Sequence, residues 1–324
     1  MNHSQIFLKQ LSIAIESNSH VLITGQTGTG KSSLARQIHE EGKRRDGPFV
    51  VVNLATLHEG TLESELFGHE RGAFTGAEKK RSGRLEMAHG GTLFLDEVGE
   101  LSLRMQARLL EFFQSRRMTP LGSNREIGVD ARVIAATHRN LQKAVSLGEF
   151  REDLFFRLRV ISIALKSIKE RSDEFDALVH TCLTDVSAQL GRPILRISEE
   201  VADALEMYDW PGNIRELKNV LECAVLSSSN GVITFDDLPI WFLEPESKNE
   251  RLLGPASQIL PEGLGVVELP LSFDFQETLE RFQKEYFSRA LRLNHGRISR
   301  TARQIGLNKT TFLRRVRAYG LGLS

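Results

Sequence analysis

Short runs of consecutive apolar residues recur through the first 167 residues, and stretches with helical spacing of apolar positions separate them. Runs of this kind predict strands that are buried on both faces, and such strands are typical of a parallel sheet covered by helices. We therefore expect an α/β domain over residues 1–167. The predicted strands are residues 20–24, 49–53, 91–96 and 132–137.

The pattern changes after residue 167. Residues 168–242 have apolar positions three or four apart, which predicts a helical domain. Residues 243–272 contain four prolines and three glycines, and this density of breakers predicts an interdomain linker. Residues 273–324 return to helical spacing. We therefore expect an α/β domain, a helical domain, a linker and a C-terminal helical domain.

The segment after the first predicted strand fits the pattern G-x-x-x-x-G-K-[S/T]. A strand precedes it and a helical run follows it, which is the context that a phosphate-binding loop requires. Lys31 is expected to neutralise the β- and γ-phosphates of ATP, and Ser32 to hold Mg²⁺. A glycine-rich turn that only resembles this loop is the alternative. The residues expected at the nucleotide are Gly25, Gln26, Thr27, Gly28, Thr29, Gly30, Lys31, Ser32 and Ser33.

Two acids end the third predicted strand. Asp96 and Glu97 follow an apolar run, and the carboxyl end of a parallel strand lies beside the crevice where α/β folds bind ligands. We expect Asp96 to orient Mg²⁺ or its water, and Glu97 to act as the general base on an attacking water. The alternative is that the two carboxylates only cap the next helix. Together with the phosphate-binding loop, Asp96 and Glu97 predict an ATP-hydrolysing enzyme.

Composition is ordinary for a soluble protein, with 40% hydrophobic and 26% charged residues. The length of 324 residues predicts two or three domains. No apolar stretch approaches the roughly 20 residues that span a bilayer, and the N-terminus does not resemble a signal peptide. Cys182 and Cys223 lack metal-ligand spacing and suit a reducing compartment. We therefore expect a cytoplasmic protein without a membrane span.

The charges are unevenly spread, although the formal net charge is zero. After Glu285 there are nine Lys or Arg residues and no Asp or Glu, which leaves 33 basic and 42 acidic residues before that point. An acidic body with a basic tail predicts a nucleic-acid-binding end. A solvated basic face is the alternative.

Within this basic tail, residues 297–305 and 309–318 predict two short helices around a turn at Gly306. Ala302 would lie where the helices cross, and Phe312 would anchor the second helix, as in a helix-turn-helix motif. A three-helix bundle with solvated arginines is the alternative. The residues expected to face the DNA major groove or phosphates are Lys309, Thr310, Thr311, Arg314 and Arg315.

The helix predicted before this motif has an apolar stripe. Such a stripe suits a dimer contact or packing within one chain, and the sequence leaves both open. Its members are Leu279, Phe282, Tyr286 and Ala290.

An aromatic residue is predicted at the tip of a loop at residues 72–77. Gly72 and Gly76 flank Phe74 and Thr75, so the backbone can make a tight excursion. An apolar ring on such a tip costs free energy in water unless it meets a partner. By composition alone, the alternative that Phe74 folds back into its own core is favoured.

Residues 63–77 resemble the bacterial enhancer-binding proteins, the AAA+ activators of sigma-54 RNA polymerase. The resemblance is close over residues 4–242, and residues 273–324 more loosely resemble a Fis-type DNA-binding domain. It implies an AAA+ fold with a nucleotide-binding subdomain at 1–167 and a helical lid at 168–242. Six residues match the GAFTGA loop that defines these activators, and the resemblance implies that they contact sigma-54. They are Gly72, Ala73, Phe74, Thr75, Gly76 and Ala77.

The resemblance implies sensing roles near the nucleotide. Asn53 matches the switch residue that holds the catalytic Glu97 until ATP is sensed. Thr137 and His138 stand at the sensor I position, and Arg215 matches the sensor II residue of the lid.

It also implies contacts beyond one subunit, because the family forms hexameric rings. Arg151 and Arg157 match the arginine fingers that stabilise γ-phosphate charge in a neighbouring subunit's site. Two ordinary surface arginines are the alternative. A second surface loop around residues 121–123 is implied to support the loop at 72–77.

Two segments depart from the family pattern. Ser32 stands where the family often has Glu, but Ser is usual in phosphate loops generally, so Mg²⁺ binding should not suffer. Residues 165–171, where the resemblance implies the hinge of the lid, lack the proline pair that the family tends to have.

Three functions compete. The first is a sigma-54 activator that binds enhancer DNA and opens the promoter complex of RNA polymerase with ATP. The second is a DNA-binding AAA+ regulator that does not act through sigma-54, and the intact loop at 72–77 disfavours it. The third is a remodeller outside transcription, which the helix-turn-helix disfavours. Since residues 1–20 leave no room for a sensory domain, we expect control by a regulatory protein acting in trans on the AAA+ domain, or by synthesis alone.

Overall fold

The structure is a computed structural model, and it describes residues 3–56, 58–193, 196–229, 231–243, 275–294, 296–307 and 309–321. The described residues fall into two compact units. The first lies within residues 1–171 and includes 211–215, and the second lies within 172–210 and 216–324. The predicted linker is almost entirely outside the described residues.

A five-stranded parallel sheet forms the centre of the first unit, in the order β2-β5-β8-β1-β9. All four predicted strands are present. The sequence pattern missed the edge strand β9, because the polar Ser162 interrupts its short apolar run. The strands are β1 (Val21–Thr24), β2 (Phe49–Asn53), β5 (Thr92–Asp96), β8 (Arg132–Thr137) and β9 (Ile161–Ala164).

Alternate residues of the central strands enter two separate hydrophobic cores. In β8, Val133 packs into one core and Ile134 into the other. Because each buried aliphatic side chain contributes roughly 1.5–3 kcal/mol, both faces of the sheet are held in place. The helices of this unit are α1 (His3–Glu16), α2 (Lys31–Glu40), α3 (Glu59–Phe67), α4 (Arg84–Met87), α5 (Leu103–Ser115), α6 (Leu141–Ser146) and α7 (Glu152–Leu158).

Two small antiparallel ribbons project from the same unit. The first pairs β3 (Gly68–His69) with β4 (Arg81–Ser82) and encloses the loop at 72–77. The second pairs β6 (Arg117–Met118) with β7 (Ile127–Gly128). A bridge between His69 and Leu121 joins their loops.

The second unit is mainly helical. Trp210 and Phe242 stack at 5.6 Å between ring centroids, and Tyr208 contacts both rings. A short parallel pair, β10 (Arg196–Ile197) and β11 (Val232–Ile233), lies beside its helices. These helices are α8 (Phe175–Gln189), α9 (Glu199–Met207), α10 (Asn213–Ser227), whose first residues belong to the first unit, and α11 (Ile240–Leu243).

Three helices end the described chain: α12 (Phe275–Leu293), α13 (Ile298–Gln304) and α14 (Lys309–Ala318). Ala302 and Phe312 are buried in their shared core, and Gly306 between them has φ +72°. The predicted helix-turn-helix is therefore present. Of the predicted stripe on α12, Ala290 is buried, whereas Phe282 is 42% exposed and stacks on Tyr286. Among the described residues, no helix is long and apolar enough to cross a membrane.

Candidate nucleotide-binding site and surface loop

The phosphate loop links β1 to α2, and Lys31 is the first residue of the helix. Gly28 and Gly30 have φ of +80° and +95°, which L side chains rarely adopt. A Cβ on Gly28 would also lie 2.0 Å from the Gly212 carbonyl oxygen. The glycines therefore allow a tight turn into the N-terminus of α2, and backbone N–H groups at a helix N-terminus bind anions.

The Lys31 side chain is only 6% exposed. Its Nζ donates to Gly25 O at 3.0 Å and to Gln26 O at 3.3 Å, and it lies 3.4 Å from Glu97 Oε1. The ammonium is thus held between the phosphate loop and the acid at the end of β5, where a phosphate group could bind it.

Asp96 and Ser32 face each other at the predicted metal position. The Ser32 hydroxyl lies 3.5 Å from Asp96 Oδ2, while the buried Oδ1 has no hydrogen-bond partner among the described residues. Burial raises the pKa of the Asp96 carboxyl, and the nearby charge of Glu97 adds to this effect. A hydroxyl beside a carboxylate with an unused oxygen fits the hard oxygen ligands that Mg²⁺ prefers.

Glu97 has φ +59°, an uncommon value for a residue with a side chain. Its Oε2 accepts hydrogen bonds from the backbone N of His138 at 3.0 Å and from Nδ1 of the same residue at 2.7 Å. Burial alone would raise the pKa of Glu97, but the bonds from His138 and the charge of Lys31 outweigh it, and the pKa lies below its usual value. Glu97 is therefore a carboxylate positioned to accept a proton.

The other predicted sensing residues make local contacts in this structure. Asn53 Oδ1 accepts from Ala55 N at 3.0 Å, and the bonds to Glu97 come from His138 instead. Thr137 is fully buried, and its hydroxyl accepts from Arg139 N at 3.0 Å. The switch role of Asn53 stays a prediction.

A residue that the sequence analysis missed secures the phosphate loop. Asn213 is fully buried with φ +51°, and its Nδ2 donates to Thr27 O at 3.1 Å. Its Oδ1 accepts from Ile168 N at 3.0 Å. Nearby, the exposed Arg215 donates its backbone N–H to Gly28 O at 3.3 Å. The predicted sensor II residue thus lies beside the loop.

The two predicted finger arginines are exposed. The Arg151 guanidinium pairs with Asp153, with Nη2 to Oδ2 at 2.8 Å, and this pair raises the pKa of Arg151. Arg157 Nη2 donates to Phe113 O at 3.1 Å. The buried Gln106, also missed, accepts from Arg151 N at 2.8 Å and so ties the finger segment to α5.

The loop at 72–77 lies on the surface. Phe74 is 45% exposed, and its ring meets the edge of His69 at 5.0 Å between centroids. Thr75 is exposed, and the loop is closed by a hydrogen bond from Gly72 N to Ala77 O at 2.9 Å. Phe74 therefore does not fold into the core.

The predicted DNA-contacting residues lie on α14. Arg314 is exposed and Arg315 is half-buried. The Thr311 hydroxyl donates to Leu243 O at 2.9 Å. The side chains of Lys309 and Thr310 lie outside what the structure describes.

A phosphate loop at the start of α2, paired acids at the end of β5 and this sheet order define a P-loop nucleoside triphosphatase of the AAA+ type. Residues 2–164 match the sigma-54 interaction domain, residues 169–253 the AAA+ ATPase lid domain, and residues 278–319 the bacterial regulatory proteins of the Fis family. The chain belongs to the family of the sigma-54 interaction domain.

Curated relatives match nearly the whole chain. It is 40% identical over 305 residues to the regulatory protein AtoC of Escherichia coli K12, covering 94% of this chain and 63% of that protein. It is 41% identical over 309 residues to the transcriptional regulatory protein ZraR of the same organism, covering 95% and 65%. The chain thus spans a little under two thirds of the length of these relatives.

A solved structure has the same fold. The crystal structure of NtrX from Brucella abortus in complex with ADP has a TM-score of 0.66 and 30% identity, covering 98% of this chain and 68% of that chain.

Proposed function

We propose that this chain is a sigma-54-dependent transcriptional activator, in which ATP hydrolysis drives the loop at 72–77 to remodel the closed complex of sigma-54 RNA polymerase into an open complex. The observation that carries the proposal is Phe74. Its ring stands on the surface at 45% exposure, at the tip of a loop joined to a nucleotide-binding unit. An exposed apolar ring on such a loop suits contact with a protein partner.

ATP is the nucleotide proposed for the phosphate loop. Lys31 would neutralise the β- and γ-phosphates. Ser32 and Asp96 would hold Mg²⁺, whose charge would offset the negative charge that develops during hydrolysis. Glu97, already held as a carboxylate by His138, would take the proton of the attacking water. The relative NtrX has been crystallised with ATP, which supports this choice.

Self-assembly would complete the site. Arg151 and Arg157 are exposed, so both side chains are accessible to the nucleotide site of a neighbouring subunit in a ring. There they would stabilise the charge on the γ-phosphate. The basic residues of α13 and α14 would bind enhancer DNA and raise the local concentration of activator at the promoter.

We also propose a cytoplasmic location and a regulatory protein that acts in trans on the AAA+ domain.

The test separates ATP use from promoter opening. Thr75→Ala should keep the ATPase rate within about twofold of the wild type, because Thr75 is exposed on the surface loop, and should abolish open-complex formation by sigma-54 polymerase. Thr181→Ala, at an exposed position on α8, is the matched control and should retain both activities. Normal promoter opening by Thr75→Ala would refute the role of the loop.

A further inference from the structure

Helix α5 begins six residues after Glu97 and carries Arg108. Arg108 Nη1 donates to Glu63 Oε1 on α3, and Nη2 donates to Thr119 O at 3.1 Å. The guanidinium carbon also lies 4.4 Å from the centroid of the Phe67 ring. One side chain thus joins α5 to α3 and to the second loop, defined here as residues 119–126.

The partner of Arg108 on α3 is buried. Glu63 is 6% exposed, and a carboxylate in such a place is stable only when it is paired. Arg104 Nη2 also contacts Glu63, at 3.1 Å, but the Arg104 side chain is 71% exposed. Arg108, at 27% exposure, is the more enclosed of the two cations.

Helix α3 leads directly into the base of the loop at 72–77. Its last residue, Phe67, is followed by β3, where Leu121 N donates to Gly68 O at 3.0 Å and Glu70 N donates to Leu121 O at 2.9 Å. Next to this bridge, a Cβ on Gly122 would lie 2.8 Å from the Ala73 Cβ. The two loops are therefore in contact where they leave the body.

The same helix orients the exposed ring. Ser64 on α3 shares a hydrogen bond of 2.7 Å with His69 Nδ1, and the edge of His69 meets the Phe74 ring. A shift of α3 would therefore move the support on which Phe74 lies.

We propose that Arg108 is a positioning residue that transmits movement of α5, the helix after the paired acids, to the loop at 72–77 and the second loop together. The proposal rests on the proposed function, because it names the residue through which hydrolysis would reach the sigma-54-contacting loop. The planar guanidinium holds two acceptors at a fixed angle, one on α3 and one on the second loop. The two hydrogen bonds therefore connect α5 directly to α3 and to the second loop.

The first test compares two arginines that share one partner. Arg108→Met keeps an apolar side chain at this position but removes both hydrogen bonds and the contact of the guanidinium with the Phe67 ring. We expect promoter opening to fall about tenfold, while the ATPase kcat and KM stay within about twofold. The control Arg104→Met also loses a bond to Glu63 but leaves the Thr119 contact intact, and it should open promoters normally.

A second measurement does not involve sigma-54. In a Glu97→Gln background that retains ATP, hydrogen exchange at the amides of Glu70 and Leu121 reports on the bridge between the two loops. ATP should change this exchange when Arg108 is present and leave it unchanged in Arg108→Met. If sigma-54 is not the target, this result still holds, so failure of the proposed function and failure of this inference are distinguishable.

A double variant separates positioning from stability, because Arg108→Met leaves Glu63 short of a partner and should lower the thermal unfolding midpoint. Adding Glu63→Gln removes the buried charge and should restore the midpoint, while promoter opening stays about tenfold reduced. If opening recovers together with stability, Arg108 only neutralises Glu63 and the proposal is overturned. The proposal is equally overturned if ATP changes the exchange of Arg108→Met as in its parent.

Discussion

The phosphate loop and the loop at 72–77 both use glycines with positive φ, but their surroundings differ. In the phosphate loop Lys31 is 6% exposed, and a Cβ on Gly28 would overlap a backbone oxygen. In the surface loop Phe74 is 45% exposed, and a Cβ on Gly72 would meet nothing within 4 Å. The proposed chemistry therefore uses a backbone held from several sides, whereas the proposed partner contact uses one held mainly at its base.

The largest effect expected at the enclosed loop is that of Lys31→Ala. It removes the cation that lies 3.4 Å from Glu97, so the γ-phosphate would lose its main charge partner. We expect the ATPase rate to fall by about a hundredfold or more. Steady-state phosphate release measures it, and a rate within a few-fold of the wild type would contradict the assigned role.

Glu97→Gln should separate binding from hydrolysis. The amide keeps the size of the side chain and its contact with His138 but cannot accept a proton, so ATP should still bind while turnover falls by about a hundredfold. Nucleotide titration and phosphate release on the same sample measure the two steps. Retained turnover would remove Glu97 as the general base.

A pair of glycine substitutions tests the comparison itself. Gly28→Ala meets both an unfavourable φ and a Cβ position 2.0 Å from Gly212 O, whereas Gly72→Ala meets only the unfavourable φ of +83°. We expect Gly28→Ala to weaken ATP binding by about tenfold or more, and Gly72→Ala to leave binding unchanged at a cost of about 1 kcal/mol of stability. Equal ATP affinities of the two variants would contradict the proposed difference between the enclosed phosphate loop and the open loop at 72–77.

The smallest expected effect is on the pH dependence of stability and concerns His20, which immediately precedes β1. Burial, with a contribution from the Arg116 charge, lowers the pKa of His20 to about 4. The His20 imidazole takes up a proton near pH 6.5 in the unfolded chain but only near pH 4 in the folded chain. The free energy of unfolding therefore decreases as the pH falls from 7 towards 4. Between pH 7 and 5 the loss from His20 is on the order of 2 kcal/mol. Urea unfolding should show a shallower pH dependence for His20→Gln, and an unchanged dependence would contradict this assignment.

The sequence predicted those parts of the fold and site that local patterns specify. The phosphate loop and the acids Asp96 and Glu97 combine fixed residue types with fixed spacing, and each of the four predicted strands contains a run of apolar residues. Gly306 and Phe312 likewise predicted the helix-turn-helix from short-range positions alone.

What the sequence did not predict depends on contacts between distant residues. Asn213 bonds to Thr27 and Ile168, and Gln106 bonds to Arg151. No local spacing specifies which buried polar groups meet, because that depends on the packing of separate elements. An amide at a buried helical position, as at Gln106, was the one available signal, since such a group needs partners.

Sigma-54-dependent promoter opening is tested most directly by exchanging the sigma factor. Purified chain and ATP would be mixed with promoter DNA and RNA polymerase that carries either sigma-54 or another sigma factor, each on its own promoter. We expect ATP-dependent open complexes with the sigma-54 enzyme alone, and we expect Thr75→Ala to lose them. Equal opening with the other sigma factor, or no ATP-dependent opening with sigma-54, would contradict it.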